Sequence, residues 1–125
     1  QTLKALTEAE AYHGPSLVIG YAPCEMHAIK GGMANCQTEM KRAVEAGYWQ
    51  MFRYNPAKKA AGENPFTLDS KEPTASYQDF IKSEARYARL AQSFPERAEA
   101  LFQKAEDAAK AKYARLVKLG EFYQQ

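Results

Sequence analysis

The spacing of apolar residues predicts a helix followed by a strand at the start of the chain. Between Gln1 and Tyr12, good helix formers separate apolar residues at near-helical spacing, namely Leu3, Leu6, Ala9 and Tyr12. Gly14 and Pro15 end this helix. The next apolar run, Leu17 to Ile19, does not alternate and is rich in β-branched residues. Such a run predicts a strand that is buried on both faces.

A helix followed directly by a buried strand is the second half of a β-α-β unit. The first strand of that unit is missing from this sequence, so we expect the chain to be a piece of a longer one. The sheet partners of Leu17 to Ile19 should then belong to the remainder. In the piece alone, the run should expose an apolar patch or cause self-association.

The next part of the chain predicts a helix and an edge strand. Asn35 can cap a helix that runs to about Ala46, and Gly47 is placed to end it. The aromatic-rich stretch from Tyr48 to Tyr54 is typical of a strand.

A long ordered loop should follow, because four breakers interrupt Ala57 to Pro73 without any sustained period. Loops of this length usually serve a function or wrap over another part of the protein. Phe66 and Leu68 alternate and can hold it through a short extended piece. We expect Phe66 to be the anchor, with Trp49 or the terminal helices beneath it.

Two helices complete the predicted pattern. Thr74 or Ser76 caps the first, whose apolar face holds Tyr77, Phe80, Ile81, Tyr87, Ala88 and Ala91. Pro95 suits the first turn of the second, which runs from about Glu96 to Leu119 before Gly120. The two helices should pack as an antiparallel hairpin.

Composition excludes several classes of function. Hydrophobic residues make up 46% of the 125 positions, enough for a modest core in one domain or part of one. The net charge of +2, without basic runs interleaved with aromatics, argues against a nucleic-acid partner. No apolar run approaches a membrane span, and no signal-peptide pattern opens the sequence. Two cysteines form neither a disulfide framework nor a zinc motif, so we expect a reduced, cytoplasmic setting.

Cys24 is the sharpest candidate for chemistry. Pro23 cannot donate to a sheet ladder, so pairing should stop there and the thiol should lie just past the strand end. In open α/β sheets, ligands bind at that position. From spacing alone, a lone cysteine is more often a small buried hydrophobic residue. His27 can hydrogen-bond near a ligand or orient the loop, and Cys36 is interpreted as structural.

The stretch from Gly20 to Met33, Gly-Tyr-Ala-Pro-Cys-Glu-Met-His-Ala-Ile-Lys-Gly-Gly-Met, resembles the late segment of pyruvate:ferredoxin (flavodoxin) oxidoreductases. The resemblance continues in order through Met40 to Trp49, Phe52 to Pro56 and Asn64 to Pro73. Enzymes of this family are several times longer than 125 residues. The chain therefore resembles the C-terminal end of such an enzyme.

The resemblance implies the chemistry of the parent enzyme. It would oxidatively decarboxylate pyruvate on thiamine diphosphate with magnesium, form acetyl-CoA and pass electrons through iron–sulfur clusters to ferredoxin or flavodoxin. Cys24, in the Tyr-Ala-Pro-Cys turn, would ligate the 4Fe-4S cluster nearest the thiamine cofactor, the other three ligands lying upstream. No Gly-Asp-Gly thiamine motif occurs here. We therefore expect no catalytic or cofactor-binding residue, and no cofactor or activity in the isolated fragment.

The resemblance also implies an α/β fold with two parts. Residues 1–56 would be the C-terminal part of the thiamine-diphosphate-binding domain, and residues 57–125 a wrapping loop and a helical hairpin. The expected partners are the remainder of a homodimeric enzyme, pyruvate, coenzyme A, and ferredoxin or flavodoxin. Two alternatives stay open: a non-catalytic interaction module, and the same domain in a related 2-oxoacid oxidoreductase. A Cys24 side chain that is buried and remote from any cleft would favour the interaction module.

Overall fold

A computed structural model describes residues 1–26 and 28–124 of the chain. The expectation for His27 lies outside the described residues. In this part of the chain the fold is α/β and mostly helical. The elements are α1 (Thr2–Ala11), α2 (Cys36–Glu45), β1 (Phe52–Tyr54), α3 (Pro56–Ala60), β2 (Phe66–Leu68), α4 (Tyr77–Ser83), α5 (Ala85–Ser93) and α6 (Pro95–Phe122). None of the helices in the described ranges is long and apolar enough to cross a membrane.

The core lies where α2, α4 and α6 meet. Its buried residues are Ala43, Ala46, Phe80, Ile81, Ala98 and Phe102. The alanines come from α2, its C-terminal end and α6. Their small side chains let these helices pack closely around the rings of Phe80 and Phe102. Tyr87 of α5 meets Phe102 edge to face at 5.9 Å, and Gln78 of α4 hydrogen-bonds Glu106 farther along α6 at 2.7 Å. Residues progressively farther before the α5–α6 turn therefore contact residues progressively farther after it. This pairing confirms the antiparallel hairpin.

Helices α1 and α2 begin where the sequence predicts, but Asn35 plays a different role from the predicted one. α1 begins at Thr2 and ends at Ala11 as expected. Asn35 stands at the N-terminus of α2 but does not cap it with its side chain. Its Nδ2 donates instead to the carbonyl of Gly31 at 3.0 Å, so Asn35 closes the preceding turn.

The strand predicted at Leu17 to Ile19 is not formed within the described residues, and its burial in a sheet of the longer enzyme stays a prediction. The segment belongs to no strand, and its residues are 83%, 47% and 69% exposed in chain order. An isolated extended run satisfies its backbone and buries its side chains only when neighbouring strands flank it. Within the described residues no such neighbour is present, so the run exposes the apolar patch that we expected of a piece.

The only strand pair among the described residues is the antiparallel hairpin of β1 and β2, in which Phe52 faces Leu68 and Tyr54 faces Phe66. The predicted strand from Tyr48 is too long, because Tyr48 and Trp49 turn into the helical core. The amide of Trp49 donates to the carbonyl of Ala43 at 3.0 Å rather than to a strand.

The region from Ala57 to Pro73 is not a plain loop, since it holds most of α3 and all of β2. Asn55 caps α3 by accepting a hydrogen bond from the amide of Ala57, and a proline opens the helix. Phe66 is buried, and its ring stacks on that of Phe52 at 5.7 Å. The predicted packing of Phe66 on the terminal helix is confirmed, and its role as the anchor stays a prediction.

Gly120 does not end the last helix as predicted, because α6 continues to Phe122. A Cβ at Gly120 would lie 3.6 Å from Cδ1 of Phe66, so the hairpin crosses α6 at this glycine. Asn64 also donates to the Gly120 carbonyl at 3.0 Å. These contacts offset the loss of about 1 kcal/mol that a glycine costs inside a helix.

The helix predicted from Tyr77 to Ala91 is two helices. Ser76 caps α4 by accepting from the amide of Asp79 at 3.1 Å, as predicted, but Glu84 adopts an extended conformation and separates α4 from α5. Glu84 forms an isolated antiparallel bridge with Ile29. A distant segment therefore breaks the helix by competing for its backbone groups.

An ion-pair network ties α1 to the hairpin. Arg53 of β1 donates two hydrogen bonds to the carboxylate of Asp69, at 2.7 and 2.9 Å, and a third to Glu8 of α1. These hydrogen bonds lower the pKa of both carboxyl groups. The arginine is the shared centre and fixes α1 against the sheet.

Candidate functional site

Cys24 is exposed and lines a cleft of about 300 Å³. The cleft is also lined by two aromatic residues, Tyr48 and Trp49, and by two charged residues, Glu84 and Arg86. The cysteine follows Pro23 in a turn closed by the amide of Ala28, which donates to the Cys24 carbonyl at 2.9 Å. The thiol therefore has access to both solvent and the cleft.

Both flanks of the Cys24 turn are fastened to the junction of α4 and α5. On the N-terminal side, the hydroxyl of Tyr21 donates to Oε1 of Glu84 at 2.7 Å. On the C-terminal side, buried Ile29 forms its bridge with Glu84, and the amide of Lys30 donates to the carbonyl of Ser83 at 2.8 Å. The helix break at Glu84 thus provides the attachment for the turn.

Aromatic packing orients Tyr21. Its ring stacks on Trp49 with centroids 5.8 Å apart and meets Tyr48 edge to face at 5.6 Å. Pairs of this geometry contribute about 0.5–1.5 kcal/mol beyond the burial of their area. The wall beneath the cleft is therefore held by contacts between side chains far apart in sequence.

A cation and an anion share this wall. The carboxylate of Glu84 is buried, with Oε2 3.8 Å from Nε of Arg86. Arg86 also donates to the hydroxyl of Tyr48 at 2.8 Å, and its guanidinium lies 4.9 Å from the ring centroid of Tyr87. A buried carboxylate is tolerated when it is paired and hydrogen-bonded, and Tyr21 with Arg86 meets that requirement.

The phenols in the cleft remain protonated at neutral pH. Burial raises the pKa of Tyr21 far above its usual range, and the hydrogen bond to Glu84 adds to that effect. Burial likewise raises the pKa of Tyr48, with the Tyr87 hydroxyl contributing. Both hydroxyls can therefore act as stable hydrogen-bond donors.

The two cysteines occupy different environments. Cys36 is half-buried at the first position of α2 and does not line the cleft with Cys24. Among residues 1–26 and 28–124 no group of three or more His, Cys, Asp and Glu side chains could hold a metal ion. Since an iron–sulfur cluster takes about four cysteine ligands, a cluster at Cys24 needs its other ligands from beyond this chain.

Sequence reasoning missed the residues that build the wall. Glu84 and Arg86 lie inside an apparently continuous helical pattern. Tyr21 belongs to the stretch before Cys24, and nothing in the sequence indicates its contact with Glu84. The one available signal was the charged pair within an otherwise amphipathic stretch. Such charges usually mark a solvated helix face.

No protein-family model matches the chain. Similar proteins include the pyruvate:ferredoxin oxidoreductase of Moorella thermoacetica, 55% identical over 97% of this chain, and the pyruvate-flavodoxin oxidoreductase of Klebsiella pneumoniae, 52% identical over 95%. The mitochondrial pyruvate dehydrogenase [NADP(+)] of Euglena gracilis is 39% identical over 92%.

The chain covers 10% of the length of the first two relatives and 6% of the third. Identity above one half over nearly the whole chain confirms the resemblance seen in the sequence. The chain therefore belongs, as a segment of about one tenth of the length, to the family of pyruvate:ferredoxin and pyruvate-flavodoxin oxidoreductases.

Proposed function

We propose that the chain is part of an oxidoreductase that oxidatively decarboxylates pyruvate to acetyl-CoA and passes electrons through iron–sulfur clusters to ferredoxin or flavodoxin. The similarity to relatives with these names, over 95% or more of the chain, carries the proposal. Residues 1–56 would belong to the domain that binds thiamine diphosphate and magnesium, and residues 57–125 would wrap it. The cytoplasm remains the predicted location, and a homodimer the predicted assembly.

Within this enzyme we assign Cys24 the role of a ligand to a 4Fe-4S cluster. The observation that supports it is the exposed thiol at the cleft, held between two fixed flanks. A thiolate is the usual ligand of such clusters, which accept and release single electrons. The donor chemistry of Cys24 fits one corner of a cluster. The other cysteine ligands would come from the remainder of the enzyme.

The remaining residues of the cleft would hold this ligand in place. Tyr21 and Ile29 attach the turn to Glu84 on both sides of Cys24. Arg86 supplies positive charge at the same cleft. Trp49 and Tyr21 stack on each other and line the cleft.

Replacing the two cysteines separately in the full-length enzyme tests this assignment. Cys24→Ala should lower the iron content, weaken the electron paramagnetic resonance signal of the reduced clusters and leave thiamine binding largely intact. Cys36→Ser is the matched control and should change neither measurement. Full iron content and unchanged signals in the Cys24 variant would refute the assignment.

The alternatives are weighed by two observations. An interaction module without chemistry would gain from a buried Cys24 remote from clefts, whereas the residue is exposed at one. The same domain in a related 2-oxoacid oxidoreductase stays the second alternative. The Euglena relative, whose name specifies NADP(+), adds a further candidate electron acceptor. Reduction of ferredoxin, flavodoxin and NADP(+) by the full-length enzyme, measured side by side with pyruvate as donor, distinguishes these acceptors.

A further inference from the structure

The cleft that Cys24 lines carries one cation, Arg86, and one anion, Glu84. No other described residue that lines it is a Lys, Arg, Asp or Glu. The two charges differ in depth, because the side chain of Glu84 is 4% exposed and that of Arg86 is 42% exposed. The positive charge is therefore the more accessible of the two to a group bound at Cys24.

Aromatic residues fix the guanidinium of Arg86. It donates to the hydroxyl of Tyr48 at 2.8 Å and lies 4.9 Å from the ring centroid of Tyr87. The hydroxyls of Tyr48 and Tyr87 share a hydrogen bond at 3.0 Å, and the ring of Tyr48 packs against Phe80 of the core at 4.9 Å. A charge held in this way needs little reorganisation when the charge of a nearby group changes.

Arg86 also has hydrogen-bond donors that are not in use. A guanidinium carries five N–H groups. Within residues 1–26 and 28–124, only Nη2 of Arg86 reaches a hydrogen-bond acceptor, the Tyr48 hydroxyl. The separation of Nε from Oε2 of Glu84 is longer, at 3.8 Å. The other N–H groups can therefore donate to an anionic group in the cleft.

Charge and hydrogen bonding at this position would act on the reduction potential of a cluster. Net charge and hydrogen bonds to the sulfurs both tune that potential. In the proposed function, one electron passes from the oxidation of pyruvate to the cluster and then to ferredoxin or flavodoxin. No bond forms or breaks at Arg86 during this transfer. A nearby cation stabilises the reduced state, which carries one more negative charge, and a nearby anion destabilises it.

We propose that Arg86 raises the reduction potential of the 4Fe-4S cluster that Cys24 ligates, and that Glu84 lowers it. The proposal rests on the proposed function, since it requires a cluster at Cys24. Neither residue is a ligand, and both act on the cluster by their charge. Tyr21 holds the anion in place by donating to Oε1 of Glu84 at 2.7 Å.

The expected size of each effect follows from the width of the cleft. A cleft of about 300 Å³ is about 8 Å across when it is taken as a sphere. Two unit charges at that separation shift an equilibrium on the order of tenfold at an effective dielectric constant of about 20 to 40. For a one-electron couple, a tenfold change corresponds to about 59 mV.

Redox titration of the full-length enzyme, followed by electron paramagnetic resonance, tests the proposal. The signal that Cys24→Ala removes identifies the cluster to be followed. Arg86→Gln should make the midpoint potential of this cluster more negative by about 59 mV, the equivalent of tenfold. Arg86→Lys should stay within about threefold of the parent enzyme, because lysine carries the same charge.

Two further variants separate charge from structure. Glu84→Gln should shift the potential in the opposite direction, because its amide oxygen can still accept from Tyr21 while the negative charge is lost. Arg89→Gln is the matched control, since Arg89 is an exposed residue of α5 that does not line the cleft. This control should leave the potential unchanged.

An unchanged potential in Arg86→Gln would overturn the proposal, as would shifts of the same sign in Arg86→Gln and Glu84→Gln. Loss of the Cys24-dependent signal in Arg86→Gln would also overturn it, because Arg86 would then serve to retain the cluster. If Cys24→Ala removes no signal, the proposed function fails as well. If it removes one and the Arg86→Gln potential is unchanged, only the present proposal fails.

Discussion

Replacing Phe66 with alanine tests whether the segment between β1 and α4 is held by one buried ring. Phe66 is 4% exposed, its ring stacks on Phe52, and it lies against Gly120 of α6. No other side chain of β2 is as deeply buried. Losing this ring should therefore loosen the attachment of the hairpin to the last helix.

The size of the effect follows from burial. Removing a buried aromatic side chain loses about 1.5–3 kcal/mol of transfer free energy, and the cavity left behind raises typical Phe→Ala costs to about 3–5 kcal/mol. Phe52 beside it is 47% exposed, so the new cavity opens partly to water and can collapse. We expect a loss near the lower end, about 3 kcal/mol in the free energy of unfolding.

Urea unfolding followed by the fluorescence of Trp49, the single tryptophan, measures this loss. Phe94→Ala is the matched control, because Phe94 is 59% exposed and its removal should change stability by no more than about 0.5 kcal/mol. A Phe66→Ala change as small as that of the control would refute the anchoring role.

Two further substitutions test the packing and the electrostatics. Gly120→Ala should raise the free energy of unfolding by about 0.5–1 kcal/mol, because the new Cβ meets Phe66 at an ordinary contact distance of 3.6 Å and alanine favours helix; a loss of stability would show that the crossing requires glycine. The lowered pKa values of Glu8 and Asp69 stabilise the fold above their ordinary values of 4.5 and 3.8, and this stabilisation is lost as pH falls through the folded values. Arg53→Met should remove that acid-side dependence in urea unfolding at pH 7, 5 and 3, and a slope equal to that of the parent chain would contradict it.

Local signals determined the elements whose stabilising contacts are close in sequence. Ser76 caps α4, Pro95 opens α6, and the apolar spacing of the first twelve residues forms α1. Each depends on groups within one or two helical turns. The family could also be identified from the sequence alone, because the matching blocks of residues occur in the same order along the chain. Identifying them requires no knowledge of tertiary contacts.

Tertiary structure decided the features that depend on distant partners. Ile29 breaks the helix at Glu84, and Phe66 packs on Gly120 inside α6, where sequence reasoning placed its end. The wall around Cys24 joins Tyr21 to Glu84 across 63 positions. No local period records such pairings, because their free energy arises only when the segments meet.

The apolar run from Leu17 to Ile19 shows the same division most clearly. Its β-branched, apolar composition favours a buried strand. Whether it becomes a strand depends on neighbours that supply hydrogen bonds and apolar surface on both sides. Within the described residues it has neither, so it remains exposed and unpaired.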